Sequence, residues 1–499
     1  MQRWFIFGVL PLTSALAEPL TITIDPVLTP TGLLTPLDTT PAAVSVIESD
    51  TINHSGASDA ADLLRFTAGL EVARNGGPGS TTSLFIRGSE SNHALVLLDG
   101  VAINPGTIGG AALQNLDPSL FERIEIVKGG RSALYGSEAI GGVVQLFSRR
   151  LETGTETYAT AGLGVDAARQ ARLGWLTPAA GLRLAYQTTD GFPAQQGGAE
   201  DHGYDNLSLA TYGRWQQLDL SHWQASGTAD YQGFHPVTFT QGTLRQDFRN
   251  SATQARWDLP DGLIRLSYVT DHIDQQDSDD FAHTDRWQLD WQQQSLGRYG
   301  QFLGGLSFSD EATAARSFGT VYDEHTTVSE LWGQTLWRLG THELQLALRL
   351  TDHETAGTEP SANLAYGYHL SPETYAYASL SRAFRAPDGS DRFGFGGNPD
   401  LKPERAVGAE LGLHHDLSDT QRVSAHLFAT DIEDLISFND PDGFFNPLPG
   451  RNENIDQARI RGVELAYRYQ AAPWTFALEA LGQAPENRST GEILARRSE

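Results

Sequence analysis

The chain has 499 residues and a formal net charge of −27, a balance that repels nucleic acid rather than binding it. It contains no cysteine, which excludes disulfides, thiol catalysis and cysteinyl metal sites. Mean hydropathy is −0.33 and no internal run approaches the roughly 18 apolar residues of a spanning helix, yet barrel strands pass this test unseen because they alternate apolar and polar residues.

The predicted elements begin with an export signal. Arg3 precedes an apolar stretch from Trp4 to Leu16, broken by Pro11, and Ala15-Leu16-Ala17 forms a small-x-small cleavage signature. Residues 1–17 therefore read as a signal peptide, with the mature chain starting at Glu18. Residues 18–41 are rich in Pro and Thr and read as a flexible tether. The exception is the β-prone run Leu20, Thr21, Ile22, Thr23 and Ile24. It reads either as an ordinary first strand or as an extended segment that adds to a partner's sheet edge.

Residues 42–150 have the texture of a small α/β unit. AAVSVIES predicts a strand. The run DAADLLRFTAGLE, opening at Ser58, predicts a helix that buries Ala61, Leu63, Leu64 and Leu70 and has Gly69 near its end. SLFIRGS and HALVLLDGVAI predict strands joined by the polar loop SESN. PSLFERIEIVKGG predicts a short helix and a strand, and SALYGSEAIGGVVQLF a glycine-rich turn and a last strand. Neither GGPGS nor GSEAIGG is followed by Gly-Lys-Ser/Thr, so neither reads as a phosphate loop.

From 151 to 499 the texture is repeated short strands. GLRLAYQ alternates Leu182, Leu184 and Tyr186 with Arg183, Ala185 and Gln187. ELQLALRL alternates Leu344, Leu346, Leu348 and Leu350 with Gln345, Ala347 and Arg349, and GVELAYRYQ behaves likewise. In a soluble sandwich the apolar face points into a core; in a membrane barrel it points to lipid. Period alone does not separate the two. The export signal and the length of the repeat favour the barrel.

Ordered motifs then narrow the family. FIRG at 85–88, LLDG at 97–100, IEIVKGG at 124–130 and LYGSEAIGGVV at 134–144 follow one another at fixed spacing. With them, residues 60–150 resemble the plug domain of TonB-dependent receptors. SLSRAFRAPDGSDRFGFGGNPDLKPERAVGAELGL (379–413) and ARIRGVELAY (458–467) resemble segments of that family's barrel, so the likeness runs across nearly the whole chain. The resemblance implies a mainly β fold, a transmembrane antiparallel β-barrel of about 22 strands around an N-terminal α/β plug domain in the lumen. It implies a monomer in the bacterial outer membrane, in contact with lipid and lipopolysaccharide, with no enzymatic activity and no organic cofactor. The partner it implies is the TonB energy-coupling protein, pairing with Leu20–Ile24 as the TonB box and passing on the inner-membrane proton gradient. About 350 residues follow the plug and EILARRSE ends on no amphipathic strand, so a truncated chain is expected, missing on the order of five strands.

A plug inside a polar barrel needs charged groups at the contact, and Arg87, Glu125, Lys128 and Arg131 are expected to anchor it. The run NGGPGSTTSLFIRGSESNHALVLLDGVAIN is most similar to cobalamin receptors, which makes cobalamin the expected ligand. Two plug loops, Asn75–Ser83 and Ala102–Gly110, are expected to face outside, with Asn75, Ser80, Thr81, Ser83, Ala102, Asn104 and Thr107 as contacts. Cobalamin receptors use calcium to order external loops, and oxygen donors from loops suit that cation. Asp190, Glu200, Asp201, Asp205 and Asp230 are the expected ligands, with Asp274, Asp277, Asp279 and Asp280 as a second cluster. His272 and His283 lack a zinc set at convincing spacing. No nucleophile elbow or HExxH supports a secreted hydrolase, and a passive porin should lack a plug. A siderophore receptor of the same architecture stays open.

Overall fold

In the computed structural model residues 26–499 are described, apart from 195–197, 199, 236–237, 239, 299, 441–449, 472–473, 495 and 498–499. The expected signal peptide and the run Leu20–Ile24 lie outside the described residues.

The chain enters through a two-residue pairing of β1 (Pro26–Val27) with β2 (Thr35–Pro36). The α/β unit follows in the order β3 (Val44–Glu48), α1 (Ser49–His54), α2 (Ala60–Leu64), β4 (Leu70–Arg74), β5 (Thr82–Ile86), β6 (Ala94–Leu98), β7 (Val101–Ala102), β8 (Phe121–Lys128), α3 (Ser132–Tyr135) and β9 (Gly142–Ser148). Its sheet runs β3-β8-β9-β6-β7, with β6 and β9 parallel and the other pairs antiparallel. ALVLL of β6 is buried along its whole length, as a strand covered on both faces must be. Ile86, Val96, Leu98, Ile124, Ile126, Val144 and Leu146 form the core, which continues into Trp223, Phe248 and Val269 of the surrounding wall.

The predicted helix from Ser58 is much shorter than expected. Asp59 caps α2, its Oδ1 accepting from the Asp62 N–H at 2.9 Å. Gly69, at φ 79°, then turns the chain, and Leu70–Arg74 pairs with Thr82–Ile86 instead of continuing the helix. Leu70 is buried as predicted, but from a strand.

The rest is one antiparallel meander of 17 strands, β10 (Glu156–Leu163), β11 (Arg169–Leu176), β12 (Ala180–Thr189), β13 (Tyr204–Trp215), β14 (Leu218–Phe234), β15 (Gln241–Leu259), β16 (Gly262–Gln275), β17 (Phe281–Gly297), β18 (Gly300–Ser317), β19 (Thr320–Leu339), β20 (His342–His353), β21 (Gly357–Ser371), β22 (Thr374–Arg385), β23 (Glu404–Ser418), β24 (Gln421–Asn439), β25 (Arg451–Ala471) and β26 (Trp474–Asn487). Each strand pairs with its sequence neighbours. The edge strands β10 and β26 do not pair with each other among the described residues.

The faces settle what period left open. Leu348 is 54% exposed on the outside while Gln345 is 1% exposed toward the plug, and Leu182 and Tyr186 point out where Arg183 points in. The apolar face is the outer one, as in a barrel surrounded by lipid. Among the described residues no helix is long and apolar enough to cross a membrane.

The two ends of the wall differ. Tight turns at 216–217, 260–261, 340–341, 372–373 and 419–420 close one end, and the connections 190–203 and 386–403 (with α4, Gly389–Phe393) crown the other. Outer-membrane barrels keep short turns on the periplasmic side and long loops outside. The incoming segment lies toward the short-turn end, where the Tyr375 hydroxyl donates to Thr39 O at 3.2 Å.

Candidate functional site

Of the four expected anchors, two cross from the plug to a wall carboxylate. Arg87 and Gly88 both take positive φ (52° and 72°), and this turn after β5 carries the Arg87 guanidinium to the wall. Its Nε and Nη2 donate to the two carboxylate oxygens of Glu464, both at 3.0 Å, and Nη1 donates to Glu410. The same guanidinium lies 4.3 Å from the centroid of the Phe428 ring. Lys128 Nζ reaches Glu464 Oε2 at 3.2 Å. All four charged side chains are buried.

The other two anchors are placed differently. Glu125 faces the entering segment, accepting from the Leu28 N–H (3.0 Å), the Thr29 N–H (2.8 Å) and the Thr29 hydroxyl (2.6 Å). It ties the plug to its own tether, not to the wall. Arg131 is buried, but among the described residues its Nε and Nη1 have no hydrogen-bond partner, and it forms no ion pair. A third plug-to-wall contact escapes the sequence reading. His93 Nε2 lies 2.9 Å from Glu404 Oε2, and Arg385 pairs with Glu404 and, at 2.8 Å, with Asp391. Arg385 and Glu404 sit in the RAP and KPE motifs, which signalled the family but not this role.

Both plug loops face the long-loop end. Gly77 packs against Phe192 and His202, and the chain at Gly106–Thr107 accepts from Gly389 N (2.7 Å) and Ser390 N (2.8 Å) of the capping connection. Their side chains divide. Asn75 and Thr81 are exposed, and Ser83 and Ala102 half-buried. Ser80, Asn104 and Thr107 are buried and correct the expected contact set. Asn104 is 0% exposed; its amide donates to Ala94 O (3.0 Å) and Gly109 O (2.7 Å) and accepts from the Val96 N–H (2.8 Å). Thr107 N donates to Thr284 Oγ1 of the wall at 3.2 Å. These residues hold the loop's shape. Asn104→Ala should therefore cost about 1–3 kcal/mol through buried groups left unpaired. Hydrogen exchange at Val96, whose N–H donates to Asn104, checks this, and unchanged protection there would refute it.

The expected calcium ligands do not converge. Asp230 is engaged by Arg245 through Nε (2.6 Å) and Nη2 (2.9 Å). Glu200 accepts from Thr243 Oγ1 at 2.5 Å and Asp205 from Tyr186 at 3.0 Å. Asp190 and Asp201 join neither. In the second cluster Asp274 meets His283 (2.9 Å), Asp277 accepts from Arg245 N (2.8 Å), Asp280 from Phe318 N (3.3 Å), and Asp279 pairs with Arg316 (3.6 Å). Among the described residues no three His, Asp or Glu side chains come together as a metal site. The donor set in this arrangement does not fit calcium.

A cavity of about 420 Å³ lies between the plug and the inner face of β16–β20. From the plug it is lined by Asp99, Ala102, Gly106, Tyr135 and Glu138, and from the wall by Arg265, Arg286, Glu311, Glu330 and Arg349. Glu138, at φ 70°, stands in its upper part. Burial pushes its carboxyl up to about 7, with Glu311 adding to the rise and Arg286 and Arg385 opposing it.

Comparison with known proteins bears on this arrangement. Residues 152–492 match the family described as TonB dependent receptor-like, beta-barrel, and residues 36–143 match the TonB-dependent Receptor Plug Domain. The chain is 28% identical over 457 residues to the vitamin B12 transporter BtuB of Photobacterium profundum, covering 86% of this chain and 73% of that protein. Among solved structures it is similar to the siderophore receptor PirA of Acinetobacter baumannii (TM-score 0.70, 19% identity, 90% of this chain and 81% of that one). It is also similar to the copper transporter OprC (TM-score 0.72, 18% identity, 90% and 82%).

Proposed function

The chain belongs to the TonB-dependent receptors of the Gram-negative outer membrane, and from that premise we propose that it imports cobalamin, energised through TonB. This is a family of transporters, not of enzymes. The observation that carries the substrate is the likeness to a vitamin B12 transporter over most of both chains. The siderophore and copper neighbours, all below 20% identity, speak to the fold alone.

The mouth is compatible with a bulky ligand. The outward plug loops are small and glycine-rich, so backbone groups and the exposed Asn75 and Thr81 can approach a broad surface closely. The plug meets the wall through charged groups, a contact that hydration can loosen more readily than an apolar core.

Titration of the purified protein with cyanocobalamin tests the reading, with sub-micromolar affinity expected. Binding of a ferric siderophore with no cobalamin binding would replace the substrate and keep the class. Repeating the titration with a calcium chelator tests the acidic loops, and an unchanged affinity removes calcium from the reading.

A further inference from the structure

Two sides of the wall hold the plug by different contacts. Toward β22–β25, plug side chains reach wall carboxylates: Arg87 and Lys128 meet Glu410 and Glu464, and His93 meets Glu404. Toward β16–β20, apart from the Thr107 N–H bond to Thr284, wall side chains reach backbone carbonyls of the plug and its tether. Arg265 donates to Asp99 O (3.5 Å), Arg286 to Asn104 O (3.1 Å) and Ala102 O, Gln334 to Thr31 O (2.5 Å), and Arg349 to Leu134 O.

The three arginines on this second face share one property. Each also pairs with a carboxylate of an adjacent wall strand: Arg265 with Asp290 (3.0 Å), Arg286 with Glu311 (3.1 Å) and Arg349 with Glu330 (2.6 Å). If the plug moves away here, each of these three arginines keeps its carboxylate partner on the wall and gives up only neutral carbonyls. If it moves away from β23 and β25, the Arg87 and Lys128 cations part from Glu410 and Glu464, and buried charges lose their partners. Of the spaces between plug and wall, the one along β16–β20 is the widest, about 420 Å³; on the other side they are about 30 Å³ beside Arg87 and Gly130 and about 270 Å³ where the tether and β3 face β23–β26.

We infer that cargo passes along the β16–β20 face, where Arg265, Arg286 and Arg349 act as releasable clips while β22–β25 hold the plug. This rests on the reading of the chain as a plugged importer. The cargo class is a bulky polar chelate or corrinoid, for which a polar wall of paired charges offers hydrogen bonds without a deep trap.

Disulfide tethers test the inference in a chain that has no cysteine of its own. Thr107→Cys with Thr284→Cys closes the cavity face, where the two hydroxyl oxygens lie 3.3 Å apart between the plug and β17. Gly130→Cys with Ser381→Cys closes the held face, where a Cβ at Gly130 would lie 3.2 Å from Ser381 Cβ, close to disulfide spacing. Uptake of labelled cobalamin should fall roughly tenfold or more with the first tether, return with reductant, and stay within about twofold with the second. The reverse pattern, or uptake insensitive to the first tether, would overturn the inference. A ligand-free arm separates it from the substrate reading. In cells with TonB, a bulky maleimide should label Ser309→Cys faster than in cells without it, and label Thr430→Cys equally slowly in both. That contrast without cobalamin uptake by the parent overturns the substrate alone; no contrast, or the opposite one, overturns the passage.

Discussion

Replacing Arg87 by alanine should loosen the plug by about 3–5 kcal/mol, the cost of breaking a buried pair and leaving its partners uncompensated. Glu464 would then keep Lys128 at 3.2 Å, and Glu410 would keep the Tyr377 hydroxyl and the nearby charge of Arg131, with neither carboxylate regaining a fork. The loss should not spread evenly, because among the described residues Arg87 is the one plug group that bridges β23 and β25. Arg87→Lys should recover only part, since an ammonium is a point charge and cannot repeat the fork on Glu464. Adding Glu464→Gln to Arg87→Ala should recover part of the loss, giving a coupling in the double-mutant cycle. Protease digestion and thermal unfolding of the purified protein read this out. A plug in Arg87→Ala no more sensitive than in the parent, with an unchanged midpoint, would sink the idea.

This seam shows where reading the sequence succeeds and stops. Arg87 and Lys128 are legible as anchors because a plug inside a polar barrel needs charged groups at the contact. The partners were not legible: Glu410 and Glu464 lie more than 300 residues away, and only the curl of the wall brings their strands to the plug. Strand period was legible too, since Leu344 to Leu350 alternate over two full pleats, but period carries no sign. Only the exposure of Leu348 against the burial of Gln345 shows which face meets lipid.

The misplaced residues have local causes. Asn104 was read as a ligand contact because a small polar residue in a glycine-rich loop is usually free, yet its amide closes the loop on Ala94, Val96 and Gly109. The acidic residues near 200 were grouped by sequence distance. The β14–β15 register instead sets Asp230 directly opposite Arg245, a cross-strand pair that commits the carboxylate. The helix from Ser58 was drawn too long because alanine and leucine favour helix, while pairing with β5 captured Leu70–Arg74. In each case a long-range ladder overrode a local preference.

Ile22→Pro should sharply reduce cobalamin uptake while leaving binding unchanged. If Leu20–Ile24 acts by adding as a strand to TonB, its backbone N–H groups carry the contact, and proline removes one and leaves its acceptor unpaired at a cost of about 1–3 kcal/mol. At about 1.4 kcal/mol per factor of ten, coupling should weaken by roughly 10- to 100-fold. Ile22→Ala keeps the N–H and should have only a mild effect. The structure adds where the pull arrives. Downstream of this segment Leu28 and Thr29 are held by the buried Glu125, with Thr29 also bonded to Gln145, so tension passes first into β8 and β9. Thr31 and Pro30 are held by Gln334 and Gln345 of the wall through neutral bonds (2.5 and 3.4 Å) that strand no charge when broken. Glu125→Gln should accordingly weaken uptake without touching ligand affinity, because it softens the link between tether and sheet. Uptake by Ile22→Pro at the parental rate would show that energy enters this receptor by another segment.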